Sequence, residues 1–157
     1  MVDRRAVAAL LLASLSTISV SSQVVAAEND MSGTAGGVTV YLGVVPAEIV
    51  KGLHAIGTSE RPMHGRIPEG PHQYHLVAAV FDVASGTRIS DAVVTAEVSG
   101  LGLSGSKMML EPMQIAGTTT YGGFVDLPGR DLYTVKLTVE RGRASPALLQ
   151  FKYDHRR

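Results

Sequence analysis

The sequence predicts an all-β protein, an immunoglobulin-like two-sheet antiparallel sandwich of about seven strands. The clearest observation is the alternation of apolar and polar residues along 133–140, which repeats along 149–153. A second is that short segments rich in β-branched residues are separated by turn signals such as Pro128-Gly129. A third is that helical spacing of apolar residues is confined to the stretch 47–57. Together these observations favour packed sheets over a helical fold.

The strand predictions follow the chain in order, and several carry a specific expectation. Segment 76–83 is apolar almost throughout, which is typical of a strand covered on both faces. Pro112 interrupts 107–115, which predicts an edge strand or a bulge there. Asp131-Leu132-Tyr133 opens a strand just after a turn, the position of a tyrosine corner. The predicted strands are 38–45, 76–83, 92–98, 107–115, 118–127, 133–140 and 149–153.

The N-terminal region has the features of an export signal. Arg4 and Arg5 precede an uncharged apolar run over 6–20, and Val25-Ala26-Ala27 offers the small residues that a signal peptidase accepts. We therefore predict a signal peptide over 1–27, a flexible lead-in over 28–37 and one β-sandwich domain over 38–157. An uncleaved anchor is the alternative. The expected location of the mature chain is the periplasm.

Composition excludes several classes of function. The chain has no cysteine, so it has no disulfide framework, cysteine nucleophile, thiolate metal site or lipid-modified cysteine. Its formal net charge is zero, and loss of 1–27 would leave it one unit negative, because Arg4 and Arg5 leave together with Asp3. Without a basic stripe or a basic amphipathic helix, neither nucleic acid nor membrane insertion after cleavage is expected.

One loop concentrates side chains that bind transition metals. The segment 58–75 carries three of the five histidines together with Met63, and its glycines and prolines exclude a helix. Methionines recur along the predicted strand 107–115. Imidazole and thioether together suit copper, with methionine favouring the reduced ion. The candidate metal ligands are His64, His72, His75, Met108 and Met113. The alternative is that the histidines are solvated and that at least one methionine fills the core.

Evidence for catalysis is weak, so we predict that the protein is not an enzyme. The segment Gly102-Leu103-Ser104-Gly105-Ser106 lacks the second glycine of a nucleophile elbow. No phosphate-binding loop, dinucleotide-binding fingerprint or zinc-protease helix occurs in the sequence. A further class is a protein-interaction or assembly module without metal, for which an edge strand at 107–115 would accept an extended peptide.

The order of segments resembles the YtkA-like and FixH-like exported bacterial domains. The resemblance covers about half of the mature chain, and such domains are associated with copper handling or oxidase assembly. It rests on a strand at 75–81, a turn at 85–86, a return strand at 90–94, Tyr121-Gly122-Gly123 and the strand start at 132–135.

A second similarity is to periplasmic iron-transport proteins that bind copper on an immunoglobulin-like sandwich. Glu111-Pro112-Met113, followed by Tyr121-Gly122 and Tyr133, is similar to their Met-Pro-Met, Tyr-Gly and Tyr pattern. This resemblance implies that Met113 is the metal-binding methionine.

The chain departs from that family at two expected ligands. The family has a His-x-Glu strand where this chain has His75-Leu76-Val77, and a histidine where this chain has Thr120. The resemblance therefore does not extend to iron transport by that family's mechanism, and a copper site in this chain would have to be built from other residues. The predicted function is non-enzymatic copper storage, delivery or homeostasis, with a copper ion and a periplasmic or membrane protein as partners.

Overall fold

The computed structural model describes residues 24–25, 30–55, 68–101 and 103–156, and within these ranges it contains nine strands and one helix. His64 and Met63 lie outside the described residues, as do Ala27 and most of the predicted signal peptide. The elements are β1 (Val24–Val25), β2 (Ser32–Ala35), β3 (Val38–Pro46), α1 (Ala47–Ala55), β4 (Gln73–Asp82), β5 (Val93–Gly100), β6 (Leu103–Ile115), β7 (Thr118–Asp126), β8 (Leu132–Glu140) and β9 (Ala147–Asp154).

The strands form one continuous sheet in the order β1-β9-β8-β5-β6-β7-β4-β3-β2. All neighbours are antiparallel except β1 and β9, which are parallel. The sheet is nearly closed, since a methyl group added to Gly33 of β2 would lie 3.2 Å from the Leu149 side chain of β9. The all-β prediction is confirmed. Two separate sheets of an immunoglobulin-like sandwich are not confirmed, because β6 joins both halves.

The long strand β6 is the element that makes the sheet continuous. It is 13 residues long, and it pairs with β5 as far as Leu110 and with β7 from Glu111 onward. The predicted edge at 107–115 is confirmed locally: β6 lies between β5 and β7 in the strand order, but its residues 107–110 pair with β5 alone and 111–115 with β7 alone, so each half has one unpaired side. Pro112 is tolerated because pairing with β5 has already ended, so that side of β6 needs no backbone donor there.

Part of the predicted flexible lead-in is a strand. Residues 32–35 form β2, which pairs with β3 through a hairpin in which Ala35 lies opposite Val38. The two turn residues, Gly36 and Gly37, have φ values of 54° and 78°. A two-residue hairpin turn needs positive φ at such positions, and glycine adopts it without steric cost. The glycine pair therefore begins the sheet before residue 38.

The hydrophobic core lies between the two halves of the sheet. Alternate residues of each strand point into it, which reproduces the pattern that predicted the strands. Its largest fully buried members include Tyr121, Tyr133, Phe151, Leu76 and Leu137. The Tyr133 hydroxyl donates a hydrogen bond to the Pro128 carbonyl, which confirms the predicted tyrosine corner. Among the described residues, no helix has the length and apolar character of a membrane span.

Candidate functional site

Strand alternation places two of the predicted ligands on the outward face of the sheet, away from the core. On β4, Leu76 is a core residue, so the side chain of His75 points to the opposite face. On β6, Met113 lies opposite Thr120 of β7 and shares that outward face. Both side chains are nonetheless buried, with 2% of His75 and 5% of Met113 exposed. Burial on a face that does not border the core marks this patch as a separate structural feature.

The patch is organised around Gly122 of β7. A methyl group added to this glycine would lie 2.7 Å from His75 Nε2 and 2.8 Å from Met113 Sδ. His75 and Met113, from two different strands, therefore place a nitrogen and a sulfur donor beside the same position above Gly122. The space exists because glycine has no side chain, and any larger residue would displace at least one of the two donors. We call Gly122 and the two side chains above it the Gly122 gap.

Neighbouring groups enclose the gap. The Phe124 ring lies 4.6 Å from the His75 ring, centroid to centroid. Thr120 is buried, and its Oγ1 makes no hydrogen bond within the described part of the chain. The helix α1 contacts β3 and also β4, and β4 is the strand that carries His75. The patch therefore combines a buried imidazole, a buried thioether and a buried hydroxyl.

The predicted ligands fall into distinct places. His75 and Met113 are brought together at the gap. Met108 packs against the hydrophobic core, on the other face of the sheet, near Gly123. His72 is exposed before β4, and its carbonyl accepts a hydrogen bond from the Leu127 N–H. The structure therefore distinguishes the two methionines that the sequence left open.

Sulfur is central to what this arrangement can bind. Within the described residues, no three side chains from His, Asp and Glu gather closely enough to hold a metal ion. The gap instead offers one imidazole nitrogen and one thioether sulfur. This pair matches the preference of copper, and of its reduced form in particular, over that of magnesium or calcium, which prefer oxygen ligands.

A second histidine cluster was not predicted from the sequence. His155, just after β9, accepts or donates a 2.6 Å hydrogen bond through Nε2 with the Tyr74 hydroxyl. Its ring also lies 5.8 Å from the Tyr153 ring and 6.1 Å from the Tyr133 ring. Burial raises the pKa of both the Tyr133 and Tyr153 hydroxyls, as expected for phenols in apolar surroundings. We call these four residues the tyrosine cage.

Two surface cavities lie elsewhere. One, of about 210 Å³, is on the half of the sheet that contains β8 and is lined by Glu97, Lys107 and Lys136 among others. The Lys136–Glu97 ion pair there spans 3.5 Å and is well exposed. The other, of about 370 Å³, lies beside Asp91 and Arg141. Neither cavity is lined by His75 or Met113.

Comparison with known proteins establishes the fold. No protein-family model and no curated protein sequence matches the chain. A copper-bound variant of FetP from uropathogenic Escherichia coli strain F11 has a TM-score of 0.56 at 12% identity, covering 79% of this chain and 93% of that one. A copper-bound variant of Campylobacter jejuni P19 has a TM-score of 0.57 at 11% identity, covering 78% and 94%.

A third solved structure is similar in fold. It is a DUF4426 family protein from Pseudomonas aeruginosa, with a TM-score of 0.53 at 13% identity, covering 80% of this chain and 96% of that one. The resemblance to copper-binding proteins thus holds for the fold, while the similarity to YtkA-like and FixH-like domains stays a prediction.

Proposed function

We propose that this chain is an exported, non-enzymatic protein that binds copper in the periplasm and holds it or passes it to a periplasmic or membrane protein. The observation that carries the proposal is the convergence of His75 Nε2 and Met113 Sδ over Gly122. Copper-bound neighbours with the same fold support it. The predicted signal peptide, which precedes the described domain, supports export.

The donor types fit the ion. A neutral imidazole binds copper in either oxidation state, and a thioether adds affinity for Cu(I) without adding charge. The two donors are held on β4 and β6, the strands on either side of β7, and are already desolvated, so they need little reorganisation to bind. The absence of cysteine from the sequence makes this donor set the natural one for an oxidising compartment, where thiols are consumed by disulfide formation.

The test is copper binding by the mature chain, measured by titration with Cu(II) and by competition with a chromogenic Cu(I) chelator. We expect stoichiometric uptake by the wild type, with strong losses in His75→Leu and in Met113→Leu. Matched controls are His72→Ala and Met109→Leu, which change an exposed histidine and a methionine that is 64% exposed. Equal uptake by all variants, or none by the wild type, would refute the proposal.

The alternative function is an interaction module without metal. It would use 107–115, where β6 pairs with β5 up to Leu110 and with β7 from Glu111, so that each half keeps one unpaired side. Copper binding is the function to be tested first, because two donors converge over Gly122.

A further inference from the structure

The strand register places an acidic residue beside the Gly122 gap. Gly122 of β7 pairs with Val77 on β4 and with Glu111 on β6. Residues directly opposite each other in an antiparallel sheet point to the same face. The side chain of Glu111 therefore leaves β6 on the face that carries His75 and Met113, level with the glycine over which those two side chains converge.

The spacing of paired strands puts the gap within the length of the Glu111 side chain. Directly opposite residues have Cβ atoms about 5 Å apart, so the Glu111 Cβ begins close to the position that a Gly122 Cβ would occupy. Two further carbon atoms separate this Cβ from the carboxylate oxygens. Met113 is the next residue of β6 on the same face, so one strand presents both an oxygen and a sulfur donor.

Glu111 is the acidic residue among the outward neighbours of the gap. The other outward-facing residues around Gly122 in the described strands are Val77, Ala79, Thr120 and Phe124. None of these carries a charge. Glu111 is also exposed, whereas His75 and Met113 are buried. An ion that enters from solvent would therefore meet the carboxylate before it meets the other two donors.

We propose that Glu111 is a third ligand of the copper site and that it gives the site affinity for Cu(II) as well as Cu(I). This inference rests on the proposed function. Imidazole and thioether alone favour the reduced ion, whereas Cu(II) prefers nitrogen and oxygen donors. A carboxylate from β6 also offsets part of the positive charge of the divalent ion at a partly buried position. The site then holds both oxidation states that an exported copper protein encounters.

The test compares Glu111→Gln with Glu140→Gln, an exposed glutamate at the end of β8. Cu(II) affinity of Glu111→Gln should fall by about tenfold or more, the scale on which ligand environment alters metal affinity, while its Cu(I) affinity should stay close to that of the wild type. Met113→Leu should show the reverse pattern. The electron paramagnetic resonance spectrum of the Cu(II)-loaded protein should change in Glu111→Gln and remain the same in Glu140→Gln.

The outcomes separate this inference from the proposed function. A wild type that binds neither ion refutes both. A wild type that binds copper, with Glu111→Gln unchanged for Cu(II) and spectroscopically identical, refutes only the role of Glu111. Equal loss of both ions in Glu111→Gln, together with a lower melting temperature of the metal-free protein, would assign Glu111 a structural role and likewise overturn the inference.

Discussion

Two histidines, the buried His75 and the partly buried His155, have their environments on opposite faces of β4. Tyr74 and His75 are neighbours on β4, and strand alternation sends them to opposite faces. Tyr74 points inward and binds His155 of the tyrosine cage. His75 points outward, and its Nε2 lies above Gly122 beside the Met113 sulfur.

The two environments differ in what surrounds the imidazole, and this difference is the basis for proposing His75, but not His155, as a metal ligand. In the tyrosine cage, a 2.6 Å hydrogen bond and three aromatic rings surround His155, and its backbone N–H bonds the Asp131 carbonyl. These contacts hold the end of β9 to the sheet. At the Gly122 gap, by contrast, a second soft donor and an absent side chain lie beside the imidazole. Residue type alone does not separate the two cases, but the surroundings do.

The substitution with the greatest expected effect fills the gap while it keeps both donors. In Gly122→Ala, the new methyl group would lie within 3 Å of both His75 Nε2 and Met113 Sδ, a separation that real side chains do not tolerate. We expect copper affinity to fall by about a hundredfold, the upper end of the losses caused by disturbing a metal site. Competition with a copper chelator provides the measurement.

The neighbouring glycine supplies the control for this substitution. In Gly123→Ala the added methyl group would point to the other face, 3.2 Å from the Leu110 side chain. This variant should lose some stability through crowding in the core and should keep its copper affinity. If Gly122→Ala binds copper as well as the wild type does, His75 and Met113 do not form the site as proposed.

A smaller effect is expected at the tyrosine cage. Tyr74→Phe removes the hydroxyl that bonds His155 Nε2 and should lower the free energy of unfolding by about 1–2 kcal/mol, the cost of leaving a partly buried polar group without its partner. Copper affinity should not change, although Tyr74 adjoins His75 in the chain. Urea denaturation and copper titration of the same sample test both statements. Tyr41→Phe, at a tyrosine that is 54% exposed, is the control. A Tyr74→Phe variant that lost copper but not stability would contradict the assigned roles.

The sequence predicted the strands well where local signals are strong. Alternation along 133–140 corresponds to β8, and the Asp131-Leu132-Tyr133 position correctly indicated the tyrosine corner. It predicted β6 only in part: Pro112 correctly indicates a strand with one unpaired side, whereas the change of partner from β5 to β7 at residues 110 and 111 is a long-range property of the sheet. Local patterns do not specify which strands become neighbours.

The same limit applies to the candidate site. His75 and Met113 were identified by residue type, because imidazole and thioether are rare side chains with a specific chemistry. The importance of Gly122 and the position of Glu111 depend on the registers of β4, β7 and β6, which no local pattern encodes. Met108 is an example: it also carries a thioether, but it packs against the core on the opposite face of the sheet.

The smallest expected effect concerns acid stability at the far end of β4. Asp82 lies about 20 Å from His75 at the rise of an extended strand. The hydrogen bond from the Arg141 guanidinium, supported by bonds from Ser85, lowers the pKa of the Asp82 carboxyl to about 2. The unfolded-state pKa of aspartate is near 3.9. Because the folded-state value is the lower one, charged Asp82 stabilises the fold above about pH 4, and that contribution disappears as the pH falls toward 2.

Between about pH 4 and about pH 2, where the wild-type carboxylate becomes protonated, the melting temperature of Asp82→Asn should therefore decrease less than that of the wild type. The melting temperature of Arg141→Gln should also decrease less over this pH range, since the guanidinium is the main cause of the lowered pKa of Asp82. Both variants should keep the wild-type copper affinity at neutral pH, because the Gly122 gap lies at the other end of β4. Circular dichroism melts across this pH range provide the measurement. If both variants kept the full wild-type slope, other carboxyl groups would account for the acid sensitivity of the fold, and the Asp82–Arg141 pair would be only a weak surface contact.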